Sequence, residues 1–79
     1  MDGPTTQLFD LGIVASLISC GFELVDTTRD AGGRMSFVFT QSDELDRIVK
    51  AYWADTLEVR ARTYSETIKM LKSLIYSER

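Results

Sequence analysis

The sequence predicts a two-layer α+β domain of three short strands with helices packed on one face, and three observations support that class. Large hydrophobic residues occupy every second position from Met35 to Phe39, which is the period of a half-buried strand. Hydrophobic residues then recur at i, i+3, i+4, i+7 and i+8 from Leu45 to Trp53, which is the period of a helix. The composition, 44% hydrophobic and 27% charged, is typical of a globular domain.

The length of 79 residues predicts one domain with a single core, which at this size supplies roughly 3 to 5 kcal/mol of net stability. Residues 1–7 favour neither helical nor strand periodicity and contain Gly3 and Pro4, so we expect a disordered tail. The domain then spans residues 8–79. Within it we expect the order α-β-β-α-β-α.

The first helix is expected to begin at Leu8 or Asp10, with the Asp10 carboxylate accepting from free N–H groups of the first turn. Its end is indicated by Gly21, which can adopt a left-handed conformation just after the last turn. Phe22 should then fold back onto that turn. A strand follows over residues 22–29.

Asp30, Ala31, Gly32 and Gly33 have the composition of a turn, so residues 22–29 and 34–40 should pair as an antiparallel hairpin. The next helix is expected to begin after Ser42, a favourable N-cap residue.

Leu57, Val59 and Ala61 alternate with charged residues, which predicts a short third strand over residues 57–62. We place it beside the 22–29 strand, which would make that strand central. Thr63 and Glu66 fit a capping box at the start of the last helix. The predicted core has members from the second hairpin strand and the last two helices: Phe37, Phe39, Leu45, Ile48, Val49, Trp53, Ile68 and Leu71.

The chain resembles a family of small uncharacterised proteins encoded by bacteriophages and other prokaryotic mobile elements. The resemblance covers roughly residues 10–76. It is carried by four short segments: Gly21-Phe22-Glu23-Leu24, Arg34-Met35-Ser36-Phe37-Val38-Phe39, Tyr52-Trp53 and Leu71-Lys72-Ser73-Leu74-Ile75-Tyr76. It implies a phage or mobile-element setting and no particular activity.

The residue types do not favour an enzyme. The chain has no histidine, which removes the commonest general base and zinc ligand, and its single cysteine has no histidine to activate it. Asp43, Glu44 and Asp46 lie where they complement the dipole of a helix start. We therefore predict no catalytic residues, no metal site and no cofactor.

Charge divides the chain into two halves. Residues 1–46 carry eight acidic and two basic residues, a net charge of −6, whereas residues 47–79 carry seven basic and four acidic residues, a net charge of +3. We prefer a protein-interaction module, an adaptor or inhibitor whose acidic half docks on an unidentified host protein. The alternative is a nucleic-acid-binding protein that uses Arg60, Arg62, Lys69 and Lys72.

The location and the remaining partners follow from composition. The lone Cys20 gives no intramolecular disulfide, which favours a reducing compartment. No run approaches the roughly 18 apolar residues that cross a bilayer, and the start of the sequence is polar and acidic, unlike a signal peptide. We predict a cytoplasmic protein without a membrane partner, for which a second copy of the chain is a further candidate partner.

Overall fold

A computed structural model describes residues 3–77 as one sheet covered by three helices. The order of the elements is β1-α1-β2-β3-α2-α3. Their bounds are Thr5–Leu8 for β1, Leu11–Ser19 for α1, Asp26–Arg29 for β2, Met35–Thr40 for β3, Asp43–Trp53 for α2 and Ala61–Ser77 for α3.

The sheet has the strand order β1-β3-β2, and both pairings are antiparallel. Met35, Phe37 and Phe39 project from β3 into a core that all three helices help to form. The alternate β3 residues Ser36 and Val38 lie on the opposite face, where they are 3% and 8% exposed, and Val38 is not part of the core cluster. The predicted α+β class, with three strands in one sheet and three helices, is confirmed.

The predicted tail is partly wrong, because residues 5–7 belong to β1. Thr6 pairs with Phe39 and Leu8 pairs with Phe37, so both side chains lie on the core side of the sheet. Thr6 also forms a side-chain hydrogen bond with Gln41, and the Gln41 N–H donates to the carbonyl of Pro4 at 2.9 Å. No local pattern indicates this strand, because the residues that pair with it lie 29 to 35 positions further along the chain. Met1 and Asp2 lie outside the described residues.

The prediction of a strand over residues 57–62 is also wrong. The third strand of the sheet is β1, which takes the place beside β3 and makes β3, rather than the 22–29 segment, the central strand. Residues 56–60 form an irregular connection, and Ala61 already belongs to α3. Leu57 and Val59 are half-buried, so their alternation reflects packing under a loop rather than a strand.

The predicted capping box is wrong because α3 begins two residues before Thr63. The carbonyl of Arg60 accepts from the Tyr64 N–H at 2.9 Å, which makes Arg60 the residue that precedes the helix. Glu66 forms an ion pair with Arg62 at 3.2 Å, and both side chains are largely exposed. The carbonyl of Thr63 accepts from the hydroxyl of Thr67, an interaction of a residue inside a helix.

Three helix ends occur where the sequence predicts them. The Asp10 carboxylate accepts from the Ile13 N–H at 3.1 Å, and the Ser42 hydroxyl accepts from the Leu45 N–H at 3.0 Å. At the end of α1, Gly21 has a φ of 97° and its N–H donates to the carbonyl of Ile18. The N–H of Phe22 donates to the carbonyl of Leu17, which completes a Schellman motif.

The predicted hairpin forms between β2 and β3, with a β2 that is shorter than the predicted strand. Gly33 has a φ of 84°, and its N–H donates to the carbonyl of Asp30 at 2.9 Å. The Asp30 carboxylate also accepts from the N–H groups of Gly32 and Arg34. Asp30 therefore organises the turn with both its carbonyl and its side chain.

The core is built around α1, which packs against both α2 and α3. Ile13, Val14, Ala15 and Leu17 are buried in it. Four predicted core residues are fully buried and three pack against the cluster: Phe37, Phe39, Leu45 and Leu71, and Ile48, Val49 and Ile68. Trp53 was placed in the core wrongly, since 67% of it is exposed. It ends α2 on a flank that no other described element covers.

Arg29 joins β2 to the end of α3. Its side chain lies on the core side of the sheet, where one guanidinium nitrogen donates to the carbonyl of Ile75 at 2.7 Å and the other donates to the carbonyl of Gly33 at 2.6 Å. A cation at the C-terminus of a helix also complements the helix dipole. Arg29 thus fixes the last turn of α3 against the hairpin.

Asp55 is a non-glycine residue in a conformation that favours glycine. Its φ is 60°, its N–H donates to the carbonyl of Tyr52, and the N–H of Thr56 donates to the carbonyl of Ala51. This is a second Schellman motif, with Asp55 at the position that Gly21 occupies after α1. The left-handed conformation costs roughly 1 kcal/mol for a residue with a Cβ.

We expect Asp55→Gly to stabilise the protein by about 0.5 to 1 kcal/mol, because the loss of left-handed strain exceeds the added chain entropy of the unfolded state. The urea midpoint of unfolding measures this. Asp55→Ala is the matched control and should lower the midpoint, since Ala keeps the Cβ and removes the carboxylate. A midpoint for Asp55→Gly at or below that of the wild type would contradict the expectation.

Candidate protein-interaction surface

The most exposed large aromatic side chain of the described residues is Trp53, at the end of α2. Its ring meets the ring of Tyr52 edge to face, with ring centroids 5.4 Å apart and planes at 87°. Such a contact stabilises this orientation of the indole. Trp53 is therefore exposed to solvent and packs against the ring of Tyr52, which is half-buried.

A groove of about 370 Å³ lies next to this aromatic pair. Its lining comes from three parts of the chain, namely α1, α2 and the connection to α3: Ser16, Tyr52, Asp55, Leu57 and Val59. The Ser16 hydroxyl is buried and already donates to the carbonyl of Gly12 at 2.8 Å. The groove thus offers two apolar side chains, a phenol and the carboxylate of Asp55. We call Trp53 together with the groove residues Tyr52, Asp55, Leu57 and Val59 the Trp53 surface.

Gly12 determines where the Tyr52 ring lies. A side chain at position 12 would clash with the Tyr52 hydroxyl oxygen, and its Cβ would lie 3.1 Å from a carboxylate oxygen of Asp10. A glycine weakens a helix interior by roughly 1 kcal/mol relative to alanine, so its presence in α1 is explained by this close approach. The groove therefore depends on a residue that lies outside its lining.

Burial raises the pKa of Tyr52 above its usual value of 10.0, and the negative charge of Asp10 raises it further, with a smaller contribution from Tyr64. The neutral phenol is favoured in the folded state. Its contribution to stability is therefore complete below about pH 10 and is lost as the pH rises through the higher folded-state pKa, because the unfolded chain ionises first.

We accordingly expect the free energy of unfolding to fall more steeply with pH above about pH 10 in the wild type than in Tyr52→Phe. Urea titrations at a series of alkaline pH values measure this slope. The rest of the sequence is the same in both proteins, so the difference between the two curves isolates Tyr52. Parallel curves would show that the phenol ionises equally easily in the folded and unfolded states.

Exposed acidic residues lie at the other end of α2. Asp43, Glu44 and Asp46 belong to its first turn, where they complement the helix dipole. Asp46 also accepts from the side-chain amide of Gln41 at 2.9 Å. With the exposed Asp55 at the far end, α2 and its C-terminal turn carry carboxylates at both ends and the indole beside one of them.

The four predicted nucleic-acid-binding residues all lie on or just before α3. Arg60 precedes the helix, and Arg62, Lys69 and Lys72 are exposed within it. Arg62 to Lys72 spans about 15 Å along the axis at 1.5 Å per residue. Arg62 is the member that pairs with Glu66. The structure therefore brings three of the four onto the solvent side of one helix.

The aromatic residues of β3 lie on the core side of the sheet. Phe37 and Phe39 are 1% and 0% exposed, so neither offers a stacking surface for a base. The opposite face of β3 carries Ser36 and Val38, and the hydroxyl groups of Thr28 and Ser36 are hydrogen-bonded to each other on that face at 2.6 Å.

Cys20 is an exposed free thiol at the end of α1. It borders a second, shallower groove of about 240 Å³ with Phe22, Glu44, Arg47 and Ile48. Within residues 3–77, no group of three or more His, Cys, Asp or Glu side chains is placed to hold a metal ion. None of the described helices combines the length and apolarity that crossing a bilayer requires.

The sequence did not reveal the Trp53 surface, because the spacing of Trp53 is that of a core position. One signal was present. Asp55 follows α2 where a glycine is usual, and a residue held in an unfavourable conformation marks a position worth testing. The remaining groove residues come from α1, α2 and the connection to α3, and the alternation of Leu57 and Val59 indicates a strand rather than a groove.

The comparisons with known proteins identify a family and no function. Neither the search of curated proteins nor the search of solved structures found a match. A family model described as a domain of unknown function, DUF5659, matches residues 5–77. The match begins at the first residue of β1 and ends at the last residue of α3. It therefore covers every element of the fold, and the chain belongs to the DUF5659 family.

Proposed function

We propose that this protein is a non-enzymatic protein-interaction module, an adaptor or inhibitor that binds a host protein through the Trp53 surface. The observation that carries the proposal is the 67% exposure of Trp53, whose ring contacts the Tyr52 ring that lines the groove. Tryptophan is among the residues most enriched where single side chains dominate the energy of protein binding. An exposed indole next to a groove can enter a pocket of the partner while the groove receives a side chain in return.

Charge indicates the chemistry of the partner surface. Asp55 lies in the groove, and residues 1–46 have a net charge of −6. A basic side chain of the partner would meet the Asp55 carboxylate. The residues of the Trp53 surface belong to the basic half of the chain, so the acidic half attracts a basic partner only at longer range. The resemblance to small proteins of bacteriophages and mobile elements supports a host protein as the partner. The exposed unpaired Cys20 supports a reducing, cytoplasmic location.

The test is affinity capture from lysate of the host organism with the wild type and two variants. Trp53→Ala should lose a protein that the wild type recovers in stoichiometric amount. Tyr76→Ala is the matched control, because Tyr76 is exposed to a similar degree, 65%, but lies on α3. It should retain the partner. Far-UV circular dichroism establishes that both variants are folded.

Two results would contradict the proposal. One is equal recovery of the partner by Trp53→Ala and the wild type, which would place binding elsewhere. The other is the recovery of nuclease-sensitive nucleic acid with no stoichiometric protein.

The second candidate function is nucleic-acid binding, favoured by the presence of Arg62, Lys69 and Lys72 on the exposed side of α3. Contacts with phosphates release counterions, so the affinity for DNA or RNA would fall steeply with added salt. Reversing Arg60 and Arg62 to Glu would then abolish binding. For the interaction module we expect no binding of either nucleic acid even at low salt.

A further inference from the structure

The hydrogen-bond pattern of β1 shows that one edge of the sheet is open. The Gln41 N–H donates to the Pro4 carbonyl, so these two residues form a hydrogen-bonded pair just beyond the strand ends. Hydrogen-bonded pairs alternate along an antiparallel ladder, which makes Thr6 and Leu8 the next residues to bond to β3. The N–H and C=O groups of Thr5 and Gln7 therefore point away from β3, toward the edge where the described chain has no further strand.

The edge of the sheet at β2 differs, because a side chain of β2 itself occupies this edge. The Thr27 N–H, which points away from β3 by the same alternation, is taken by the carboxylate of Asp26 at 2.8 Å. A carboxylate at a strand edge also repels a further strand, since it lies where that strand would dock. The two edges are thus unlike: β2 is protected by a charge, whereas β1 consists of the uncharged residues Thr5, Thr6, Gln7 and Leu8.

We propose that β1 is the dimerisation strand of this protein and pairs with β1 of a second copy, antiparallel, about a two-fold axis through Thr6. In this register Thr5 of each copy lies opposite Gln7 of the other, so the outward groups of both residues form about four backbone hydrogen bonds. The two sheets join into one of six strands. The Thr6 side chains lie opposite each other at the centre, which is a favourable cross-strand pair.

The helical layer supports a second copy as the occupant of this edge. Gln41 bonds to β1 on one side and to Asp46 on the other, which places the Asp46 flank of α2 beneath the β1 edge. Lys50 is one helical turn further along the same helix and is exposed. In an antiparallel dimer the two α2 helices run in opposite directions, so Asp46 of one copy approaches Lys50 of the other. An identical partner therefore meets opposite charge, not like charge.

The protected β2 edge explains why pairing would stop at two copies. A sheet with two open edges can continue into a fibre, whereas a contact that uses the same edge of both copies closes on itself. The proposed dimer leaves the Trp53 surface outside the contact between the strands. The dimer does not depend on the proposed function. Each dimer would carry two Trp53 surfaces.

The test is sedimentation equilibrium of the full chain across the micromolar to millimolar range. The wild type should shift from the mass of one chain to twice that mass, whereas Gln7→Pro should remain at the mass of one chain. Proline removes the outward N–H of Gln7 and is tolerated where that N–H does not bond within the sheet. Thr27→Pro, the equivalent change at the other edge, is the control and should still dimerise.

A second set of variants avoids the backbone. Asp46→Lys should weaken dimerisation at least tenfold, because a positive charge at position 46 of each copy would then face Lys50 of the other copy. The double variant Asp46→Lys with Lys50→Asp should restore dimerisation, because opposite charges would face each other again. A wild type that stays monomeric across the whole concentration range would overturn the proposal. The β1 edge would then be a site for an extended segment of another protein. A dimer that survives Gln7→Pro would place the interface elsewhere. Failure of the swap to restore dimerisation would overturn the antiparallel arrangement of the α2 helices.

Discussion

Phe39→Ala is expected to unfold the protein, whereas Trp53→Ala is expected to leave it folded. Phe39 is fully buried on the central strand, and removing a buried phenylalanine costs about 3 to 5 kcal/mol. That is the whole stability expected of a domain this small. Trp53 is two-thirds exposed, so its truncation should cost about 1 kcal/mol or less, mainly through the lost edge-to-face contact with Tyr52.

Far-UV circular dichroism during urea titration measures both variants and does not depend on the tryptophan that one of them lacks. A loss for Trp53→Ala comparable to that for Phe39→Ala would show that the indole belongs to the core. The same result would also withdraw the Trp53 surface as a binding site, since a buried anchor cannot meet a partner.

Arg29→Met should lower the free energy of unfolding by about 2 to 3 kcal/mol. The methionine keeps the apolar stem but loses the charge-assisted hydrogen bonds to the carbonyls of Ile75 and Gly33, and such bonds are worth about 1.5 to 3 kcal/mol each. The estimate is below the sum because the guanidinium Nε is buried without a hydrogen-bond partner among the described residues, a cost that the substitution removes.

The matched control is Arg34→Met. In the wild type the Arg34 guanidinium is exposed and lies 4.2 Å from the centre of the Phe9 ring. A cation–π contact at an exposed site is worth about 0.5 to 1 kcal/mol. Amide hydrogen exchange adds a local measurement, because only Arg29→Met should speed exchange in the last turn of α3. Equal losses of stability in the two variants, with no change in that turn, would mean that Arg29 is not the link between the hairpin and the helix.

The parts of the fold that sequence reasoning predicted correctly depend on neighbours in the chain. The Asp10 and Ser42 caps, the Gly21 turn and the Asp30 turn each involve residues within five positions of one another, so the residue types alone indicate the geometry. The α+β class followed from periodicity, which also depends on local spacing.

Apart from the capping box at Thr63, the errors involve partners that are distant in the sequence. β1 was missed because Thr5–Leu8 is a strand only by virtue of β3, and residues 57–62 were assigned to a strand because their alternation suits packing under a loop equally well. Trp53 has the helical phase of a core residue, yet no element of the described chain covers its flank. The groove at the Trp53 surface combines three elements, and no pattern in any one of them indicates the other two.

The position of β3 in the sequence has a consequence for synthesis of the protein. β3 is central in the sheet but third among the strands in the chain, and β1 and β2 pair with it and not with each other. A growing chain that has not yet reached Met35 therefore contains two strands with nothing to pair with. Formation of the sheet must wait for Thr40 to leave the ribosome, and we expect products truncated before that point to be degraded rather than to fold in part.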